Sequence, residues 1–271
     1  RLFLYKKIVF SHSILYNMLS IQQIKEIKQL HLKKNRVEKG CFIAETPKVV
    51  EVLLKSNLIF LQLLATDEWF AKNKLPLSPQ IEVSKITETE LGRISGLKTP
   101  HQVLAILKCP LLSPEASSLF NGISLVLDDI RDPGNLGTII RIADWYGIDR
   151  IICSLNSADA WQNKCVQASM GSIANTEIVY MDLDCLMALK PAHFPVYGMF
   201  LEGENIYSTQ FAKEAMIVIG NEAHGISASL ALKIDKKILI PQFSKDPIRK
   251  AESLNASIAT AVVCSELRRS C

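Results

Sequence analysis

The chain has 271 residues, of which 48% are hydrophobic and 21% are charged, and its formal net charge is +4. This length is typical of two domains, and the composition excludes a largely disordered chain. The sequence contains no run of about 18 apolar residues, so it predicts no transmembrane helix, and we expect a cytoplasmic protein without a membrane partner.

The first half predicts a small α/β domain, residues 18–108, after a short leader. Residues 1–17 combine basic residues with a broken apolar run, and Met18 precedes a helical pattern, so we expect a non-native or disordered leader. Strands are predicted where aliphatic and β-branched residues cluster, with helices between them. The predicted strands are 41–45, 58–66, 81–85 and 101–108, and the predicted helices are 47–56, 67–73 and 87–95.

The second half, residues 123–271, predicts a parallel sheet with helices on both faces. Prolines and serines in residues 109–122 are typical of a linker. Beyond it, continuous Val/Ile/Leu runs alternate with helical patterns, as in parallel α/β sheets. The predicted strands are 123–129, 149–154, 176–181, 194–201, 215–220 and 236–241, and the predicted helices are 135–147, 160–171, 182–190 and 253–270.

Positive charge is concentrated in the first half. Residues 1–110 carry 17 Lys and Arg against 9 Asp and Glu, whereas the rest of the chain carries 14 against 18. A helical pattern from Ile21 to Lys34 places isoleucines and Leu30 on one face and lysines off it. This asymmetry favours a polyanion-binding domain beside a catalytic domain, although a solvated basic surface would give the same pattern. The residues expected to contact such a polyanion are Lys33, Lys34 and Arg36.

The seven cysteines give no sign of a metal site. They are scattered along the chain, and they form no CxxC pair and no Cys/His cluster with zinc spacing. We therefore expect reduced thiols, with neither a disulfide framework nor a bound metal.

Ligands of parallel α/β sheets bind at the carboxyl ends of the strands, and the end of strand 123–129 is unusual. A Pro-Gly turn leads into a helix that is expected to open at Asn135, with Gly137 in its first turn. This turn matches neither the dinucleotide-binding nor the P-loop pattern. A capped helix without any ligand would explain it equally well.

Two further strand ends carry candidate residues. After strand 215–220, Gly220 and Gly225 allow sharp bends, and Glu222 between them could accept hydrogen bonds from a ligand. After strand 236–241, Ser253 and Asn255 open the last helix, and Ser253 is a natural N-cap. A plain turn and a capped helix remain possible for these two segments.

Together the three segments resemble the SpoU/TrmH family of SPOUT RNA 2′-O-ribose methyltransferases. The second and third match the family motifs G-x-E-x-x-G and S-L-N, the latter after Ile-Pro at 240–241. The first half resembles the ribosomal-protein-like substrate-binding domain that often precedes this catalytic domain, although Thr46 stands where glycine is usual and residues 245–252 lengthen the last loop. The first motif is matched by Asn135, Gly137, Thr138 and Arg141.

The resemblance implies a fold, a cofactor and a reaction. The implied fold is an α/β parallel sheet with a deep trefoil knot in residues 123–271, and the implied assembly is a homodimer with its active site at the interface. The implied reaction is methyl transfer from S-adenosylmethionine to a ribose 2′-hydroxyl of structured RNA. Ribosomal RNA is favoured by the two-domain layout, and transfer RNA is the alternative.

The resemblance also implies roles for individual residues. Arg141, supplied across the dimer, would activate the hydroxyl, and Asn135 and Glu222 would position Arg141 and the RNA. Ser253 and Asn255 would line the site near the transferred methyl. Backbone groups that hold the cofactor are expected at Leu201, Gly220, Ile240 and Leu254.

Two other classes of protein are less well supported. A non-catalytic RNA-binding relative would not need Arg141, Glu222 and Asn255, and all three are present. A nicotinamide-dependent dehydrogenase lacks its dinucleotide fingerprint. We also expect the second half to fold and bind cofactor without residues 1–110.

Overall fold

The computed structural model of the protein describes residues 15–16, 18–73, 79–110, 115–148, 150–244 and 252–269. These residues form two sheets, one in each half of the chain, with helices packed against them. No helix in these ranges is long and apolar enough to cross a membrane. The same ranges contain no group of three or more His, Cys, Asp or Glu side chains that could hold a metal ion.

The first sheet has five strands. They are β1 (Leu15–Tyr16), β2 (Cys41–Glu45), β3 (Phe60–Ala65), β4 (Glu82–Lys85) and β5 (Val103–Lys108), and the helices are α1 (Ile21–Gln29), α2 (Lys33–Lys39), α3 (Pro47–Leu53), α4 (Asp67–Lys72) and α5 (Glu88–Ile94). The strand order is β1-β4-β3-β5-β2, with β5 antiparallel to both neighbours and the other pairs parallel. The expected leader therefore contributes two residues to the sheet, and its other residues lie outside the described ranges.

The basic helical pattern near the start forms two helices rather than one. The chain leaves α1 at Leu30 and re-enters a helix at Lys33. Ile21, which was expected on the apolar face, is 88% exposed. Ser20 and Gln23 form a reciprocal capping box in which each side chain accepts the backbone N–H of the other residue, so α1 begins at Ile21 without that residue being buried.

The second sheet is parallel throughout, as the sequence predicts. Its strands are β6 (Ile123–Leu127), β7 (Arg150–Cys153), β8 (Glu177–Tyr180), β9 (Val196–Asn205), β10 (Ala215–Ile219) and β11 (Lys236–Leu239), and its helices are α6 (Pro133–Trp145), α7 (Asn163–Ser169), α8 (Leu183–Leu189), α9 (Ala228–Ala231) and α10 (Ala256–Arg269). The strand order is β11-β9-β10-β6-β7-β8.

Helices cover both faces of the second sheet, which explains its continuous apolar strands. Leu125 and Leu127 of β6 pack with residues of α6, α7 and α10 on one face. Val126 points to the other face and packs with residues of α8 and α9. A short 3₁₀ helix, Ala116–Phe120, also lies on this second face, so part of the predicted linker is packed against the sheet.

One apolar core serves both sheets. Phe42 of β2 and residues of α3 belong to the same buried cluster as Cys165 of α7 and Ile173. The rings of Phe42 and Trp161 meet across this boundary with their centroids 4.8 Å apart. The second half would expose this surface if residues 1–110 were removed, and the expectation that it folds alone stays a prediction.

Candidate active site

The first turn of α6 is fixed at the carboxyl end of β6 by an ionised cap. Asp132 Oδ1 accepts the Asn135 N–H at 2.9 Å, and Pro133 occupies the first turn. Lys164 Nζ lies 2.7 Å from Asp132 Oδ2, and together with the Asn135 N–H it lowers the pKa of the Asp132 carboxyl. This cap starts the helix two residues before the predicted Asn135 and holds the Asn135 side chain at the sheet edge.

Gly137 is the contact point between α6 and α7. A Cβ at this position would lie 2.5 Å from the Cys165 carbonyl oxygen and 2.6 Å from Ala168 Cβ. Only glycine lets the two helices approach this closely. The glycine of the first motif therefore has a packing role, whereas Asn135 faces the site.

The loop after β10 is a tight turn that presents Glu222. Asn221 and Gly225 exchange backbone hydrogen bonds of 3.0 and 2.8 Å across it. A Cβ on Gly220 would lie 2.2 Å from the Gly225 carbonyl carbon, and Gly225 has a φ of +68°. The turn thus needs both glycines, and it leaves the Glu222 side chain exposed at the sheet edge.

A chain of side-chain hydrogen bonds joins the three predicted motifs. Asn255 Nδ2 donates to Asn135 Oδ1 at 3.0 Å. Asn135 Nδ2 in turn donates to Glu222 Oε1 at 2.5 Å. We call this set of Asn255, Asn135 and Glu222 the amide relay.

The donor and acceptor roles within the amide relay are fixed by the hydrogen bonds at its two ends. Asn255 Oδ1 accepts from the Ser257 N–H at 3.0 Å and from Ser257 Oγ at 2.6 Å, so its Nδ2 must be the group that faces Asn135. At the other end, an ionised carboxylate can only accept. Asn135 is therefore required to turn its oxygen to Asn255 and its nitrogen to Glu222.

Asn255, and not Ser253, is the side chain that caps α10. The helix begins at Ala256, and Asn255 Oδ1 accepts from the backbone of its first turn. The cap position predicted for Ser253 is therefore wrong, because the helix starts three residues later than expected. Ser253 is exposed beside the relay, and the preceding loop at 245–251 lies outside the described residues.

Arg141 lies on α6 but not on the face that carries Asn135. Six residues of an α-helix turn the chain through about 240°, so the two side chains diverge. Arg141 is exposed, and among the described residues it has no hydrogen-bonding or ionic partner. Within one chain, the structure does not bring Arg141 to the amide relay.

Three of the four residues expected near the cofactor lie in or directly after β9, β10 and β11, and the fourth, Leu254, precedes Asn255 of the amide relay. The register between β9 and β11 jumps so that Lys237 faces Gly198 while Ile238 faces Glu204. The intervening part of β9 bulges outward, and its Leu201 is 80% exposed. Leu254 is 48% exposed, and Gly220 and Ile240 follow directly after β10 and β11.

The three residues expected to contact RNA do not share one environment. Lys33 and Lys34 are exposed at the start of α2. Arg36 is buried, with 5% exposure, and it pairs with Asp159 of the second half at 2.6 Å. The prediction that Arg36 faces solvent is therefore wrong, because this side of α2 faces the second half of the chain.

Sequence reasoning overlooked two residues that hold the site loops. Asn221 Oδ1 accepts from the Ala223 N–H at 2.8 Å, and its Nδ2 donates to the Asp129 carbonyl at 2.8 Å. Asp128 is 7% exposed, and its carboxylate accepts the Ser227 N–H at 2.7 Å. An Asn between a strand-ending glycine and the candidate Glu222 is a common turn former, and this signal could have identified Asn221.

Two family models match the chain. The SpoU rRNA Methylase family matches residues 122–265, and the MRM3-like substrate binding domain matches residues 22–105. The first match contains all three motifs and every residue of the amide relay. The second covers most of the first sheet.

Known proteins are similar over nearly the whole chain. The 23S rRNA (guanosine(2553)-2′-O)-methyltransferase RlmP of Bacillus subtilis is 32% identical over 91% of this chain and 96% of its own. A putative TrmH-family RNA methyltransferase from Porphyromonas gingivalis has a TM-score of 0.83 and 35% identity over 93% and 99% of the two chains. An AdoMet-bound rRNA methyltransferase from Sinorhizobium meliloti has a TM-score of 0.79 and 28% identity over 93% and 97%. The chain belongs to the SpoU rRNA methylase family.

Proposed function

We propose that this protein transfers a methyl group from S-adenosylmethionine to a ribose 2′-hydroxyl of ribosomal RNA. The observation that carries the proposal is the amide relay, which joins the three motifs at one edge of the parallel sheet. A relative from Bacillus subtilis that covers 91% of the chain is named as a 23S rRNA 2′-O-methyltransferase. A structure with 28% identity is described as AdoMet-bound, which supports the same cofactor here.

The residues present fit S-adenosylmethionine. Leu201 and Leu254 leave apolar side chains exposed at the ends of the strands, where an adenine ring could cover them. Backbone groups of Gly220, Ile240 and Leu254 would hold the polar parts of the cofactor. When bound, the cofactor supplies an electrophilic sulfonium methyl, so the transfer requires no metal.

Arg141 would assist the hydroxyl. A ribose hydroxyl is a weak nucleophile and reacts faster when its proton is drawn away. A guanidinium is protonated under nearly all conditions and is a poor base. Its role is therefore to bind the neighbouring phosphate and polarise the hydroxyl, and the hydroxyl proton passes to that phosphate or to a rare neutral form of Arg141. Asn135 and Glu222 would orient Arg141 and the RNA. Ser253 and Asn255 would line the site near the methyl group.

A homodimer would complete this site. Arg141 points away from Asn135 on the same helix, so a partner's arginine is needed to reach the relay. Trp145, one turn further along α6, is 84% exposed, and Ile258 of the neighbouring α10 is 52% exposed. An isologous contact through these apolar residues would place each Arg141 beside the other copy. Sedimentation at micromolar concentration tests this, and a fully active monomer would contradict it.

Several finer features belong to the same proposal. The deep trefoil knot is supported by the path of the chain, since α10 packs on α6 although β11, which precedes it, lies at the sheet edge. Residues 18–108 would be the ribosomal-protein-like RNA-binding domain, 109–122 the linker and 123–271 the catalytic domain. Lys33 and Lys34 would contact RNA phosphates, and the protein would act in the cytoplasm.

Methyl incorporation into purified RNA tests the function. The full-length protein, labelled S-adenosylmethionine and either ribosomal or transfer RNA are mixed, and the 2′-O-methylated riboses are mapped. We expect one site in ribosomal RNA, and no incorporation with Asn135→Ala. Methylation of transfer RNA alone would show that the substrate is transfer RNA and not ribosomal RNA. RNA binding without any cofactor binding would identify a non-catalytic relative.

A further inference from the structure

A buried ion pair joins the two domains. Arg36 Nη2 and Nε donate to Asp159 Oδ2 at 2.6 and 3.2 Å, and the two side chains are 6% and 11% exposed. Arg36 Nη1 also donates to the carbonyl oxygens of Leu30 and His31 at 2.9 and 2.8 Å. The guanidinium is therefore held rigidly by its own domain at the corner between α1 and α2.

The Asp159 carboxylate is fixed from the catalytic side. It lies in the segment between β7 and α7, and its Oδ1 accepts the Trp161 N–H at 2.9 Å. Its other oxygen receives both donors from Arg36. Each partner of the ion pair is thus oriented within its own domain, so the pair defines how one domain is placed against the other.

A second buried carboxylate makes an independent connection. Glu45, at the end of β2, is 1% exposed. Its Oε1 accepts from the Gly96 N–H at 3.0 Å and from Asn163 Nδ2 at 2.6 Å, and Ser95 Oγ donates to Oε2. Gln167 Nε2 donates to the Glu45 carbonyl at 2.7 Å. Asn163 and Gln167 lie one turn apart on α7, so the helix is held at two points.

These polar contacts restrict orientation more than they favour association. Burial of apolar surface, as between Phe42 and Trp161, specifies the relative orientation of the domains less sharply than hydrogen bonds to a buried charge do. A buried ion pair gains little net stability because its charges lose their hydration, but a misaligned pair leaves a buried charge uncompensated. Arg36, Asp159 and Glu45 therefore penalise every arrangement except the observed one.

The same helix supports the candidate active site. Lys164 of α7 pairs with Asp132, the cap of α6, and α7 packs on Gly137 of α6. The first turn of α6 carries Asn135, the central member of the amide relay. The connection from the RNA-binding domain to the relay thus runs through α7 by short contacts.

We propose that Arg36, Asp159 and Glu45 are positioning residues that select the methylated ribose. They fix the distance between the RNA held on the first domain and the amide relay, so that one ribose of a folded RNA reaches the site. This inference rests on the proposed function. Beyond that function, it states that the two domains keep one fixed relative orientation and are not joined only by a flexible linker.

Three variants separate positioning from stability. Asp159→Ala removes one partner of the pair. The double variant Arg36→Met with Asp159→Leu replaces the pair with apolar side chains, which commonly preserves stability. Asp184→Ala is the matched control, because it breaks an ion pair with Lys233 in which the side chains are 38% and 53% exposed.

The readout is single-turnover methylation with mapping of every modified ribose. For Asp159→Ala and the double variant, we expect the affinity for RNA and cofactor to stay within twofold. The rate at the main ribose should fall at least tenfold, and neighbouring riboses should become methylated. The control should match the wild type. Wild-type rate and site choice in the double variant would overturn the proposal.

Trp161 reports the domain contact without any enzymatic step. In a Trp145→Phe background, the remaining tryptophans are Trp161 at the boundary and Trp69, which is 1% exposed. Acrylamide should quench Trp161 at least twofold more strongly after Arg36→Met, which leaves the hydrogen bond between the Trp161 N–H and Asp159 in place. Unchanged quenching would also overturn the proposal. A wild-type protein that methylates no RNA would refute the proposed function, whereas unchanged site choice by active variants would refute the positioning role alone.

Discussion

Gly137→Ala is the substitution that most directly tests the packing beneath the active site. The added Cβ would lie 2.5 Å from the Cys165 carbonyl oxygen, 2.6 Å from Ala168 Cβ and 3.1 Å from the Ser169 nitrogen. All three atoms belong to α7, and two of them are backbone atoms that cannot rotate away. Relief to an ordinary contact of about 3.5 Å requires α7 to move by about 1 Å.

The expected change in stability has two opposing parts. Alanine is favoured over glycine inside a helix by about 1 kcal/mol. Forcing an extra methyl into a close contact costs about 1–3 kcal/mol. Gly92 on α5 is the matched control, because a Cβ there has nothing within 4 Å and Gly92→Ala gains only the helix preference. The difference between the two variants is therefore the packing cost.

Urea unfolding of both variants measures this difference. We expect Gly92→Ala to be more stable than the wild type by about 1 kcal/mol and Gly137→Ala to be less stable by up to about 2 kcal/mol. For a chain of this size each kcal/mol shifts Tm by about 2–4 °C. If Gly137→Ala proved as stable as Gly92→Ala at equal m-values, the close approach of α6 and α7 would not constrain the fold.

Three other predictions concern cofactor and RNA. Arg141→Ala should reduce methyl transfer more than tenfold while calorimetry shows unchanged cofactor affinity, and turnover above a tenth of wild type would exclude the catalytic role. Gly220→Ala should weaken cofactor binding at least tenfold. The new Cβ would lie 2.3 Å from the Ile226 nitrogen, and relief of this clash would open the turn. Wild-type affinity for the cofactor would contradict this. Lys33→Ala with Lys34→Ala should lower RNA affinity and flatten its log–log salt dependence by about 1.4 to 1.8, since each phosphate contact contributes about 0.7 to 0.9; equal slopes would show that these lysines do not touch phosphate.

The order of most elements could be read from the sequence because it depends on local patterns, whereas the candidate site was predicted from three motifs that resemble a known family. Continuous apolar runs predict the parallel strands, and Gly220 with Gly225 predicts the turn that presents Glu222. The observed starts of α6 and α10 differ from the predicted ones by two and three residues. Capping depends on which side chain reaches the free N–H groups of the first turn. Asp132 and Asn255 do so, and their neighbours Asn135 and Ser253 do not.

Contacts between distant segments could not be predicted in this way. Arg36 looks like any solvent-facing arginine in a basic run, and only the placement of Asp159, 123 residues away, explains its burial. The core shared by the two sheets could not be predicted for the same reason. An apolar residue such as Phe42 could be buried within its own domain or between two domains, and the sequence does not distinguish the two. Local pattern predicts the burial of most apolar strand residues, but it does not show which distant segments pack against them.

The amide relay also has a consequence for synthesis of the chain. Glu222 and Asn135 meet once β6 and β10 are side by side, but Asn255 follows every strand of the sheet in the sequence. Domains emerging from the ribosome fold from the N-terminal end, so this last asparagine arrives after the scaffold has formed. Until then Asn135 lacks its partner from the last helix, and the three motifs are not joined. Completion of the amide relay therefore depends on α10 reaching its place on the sheet.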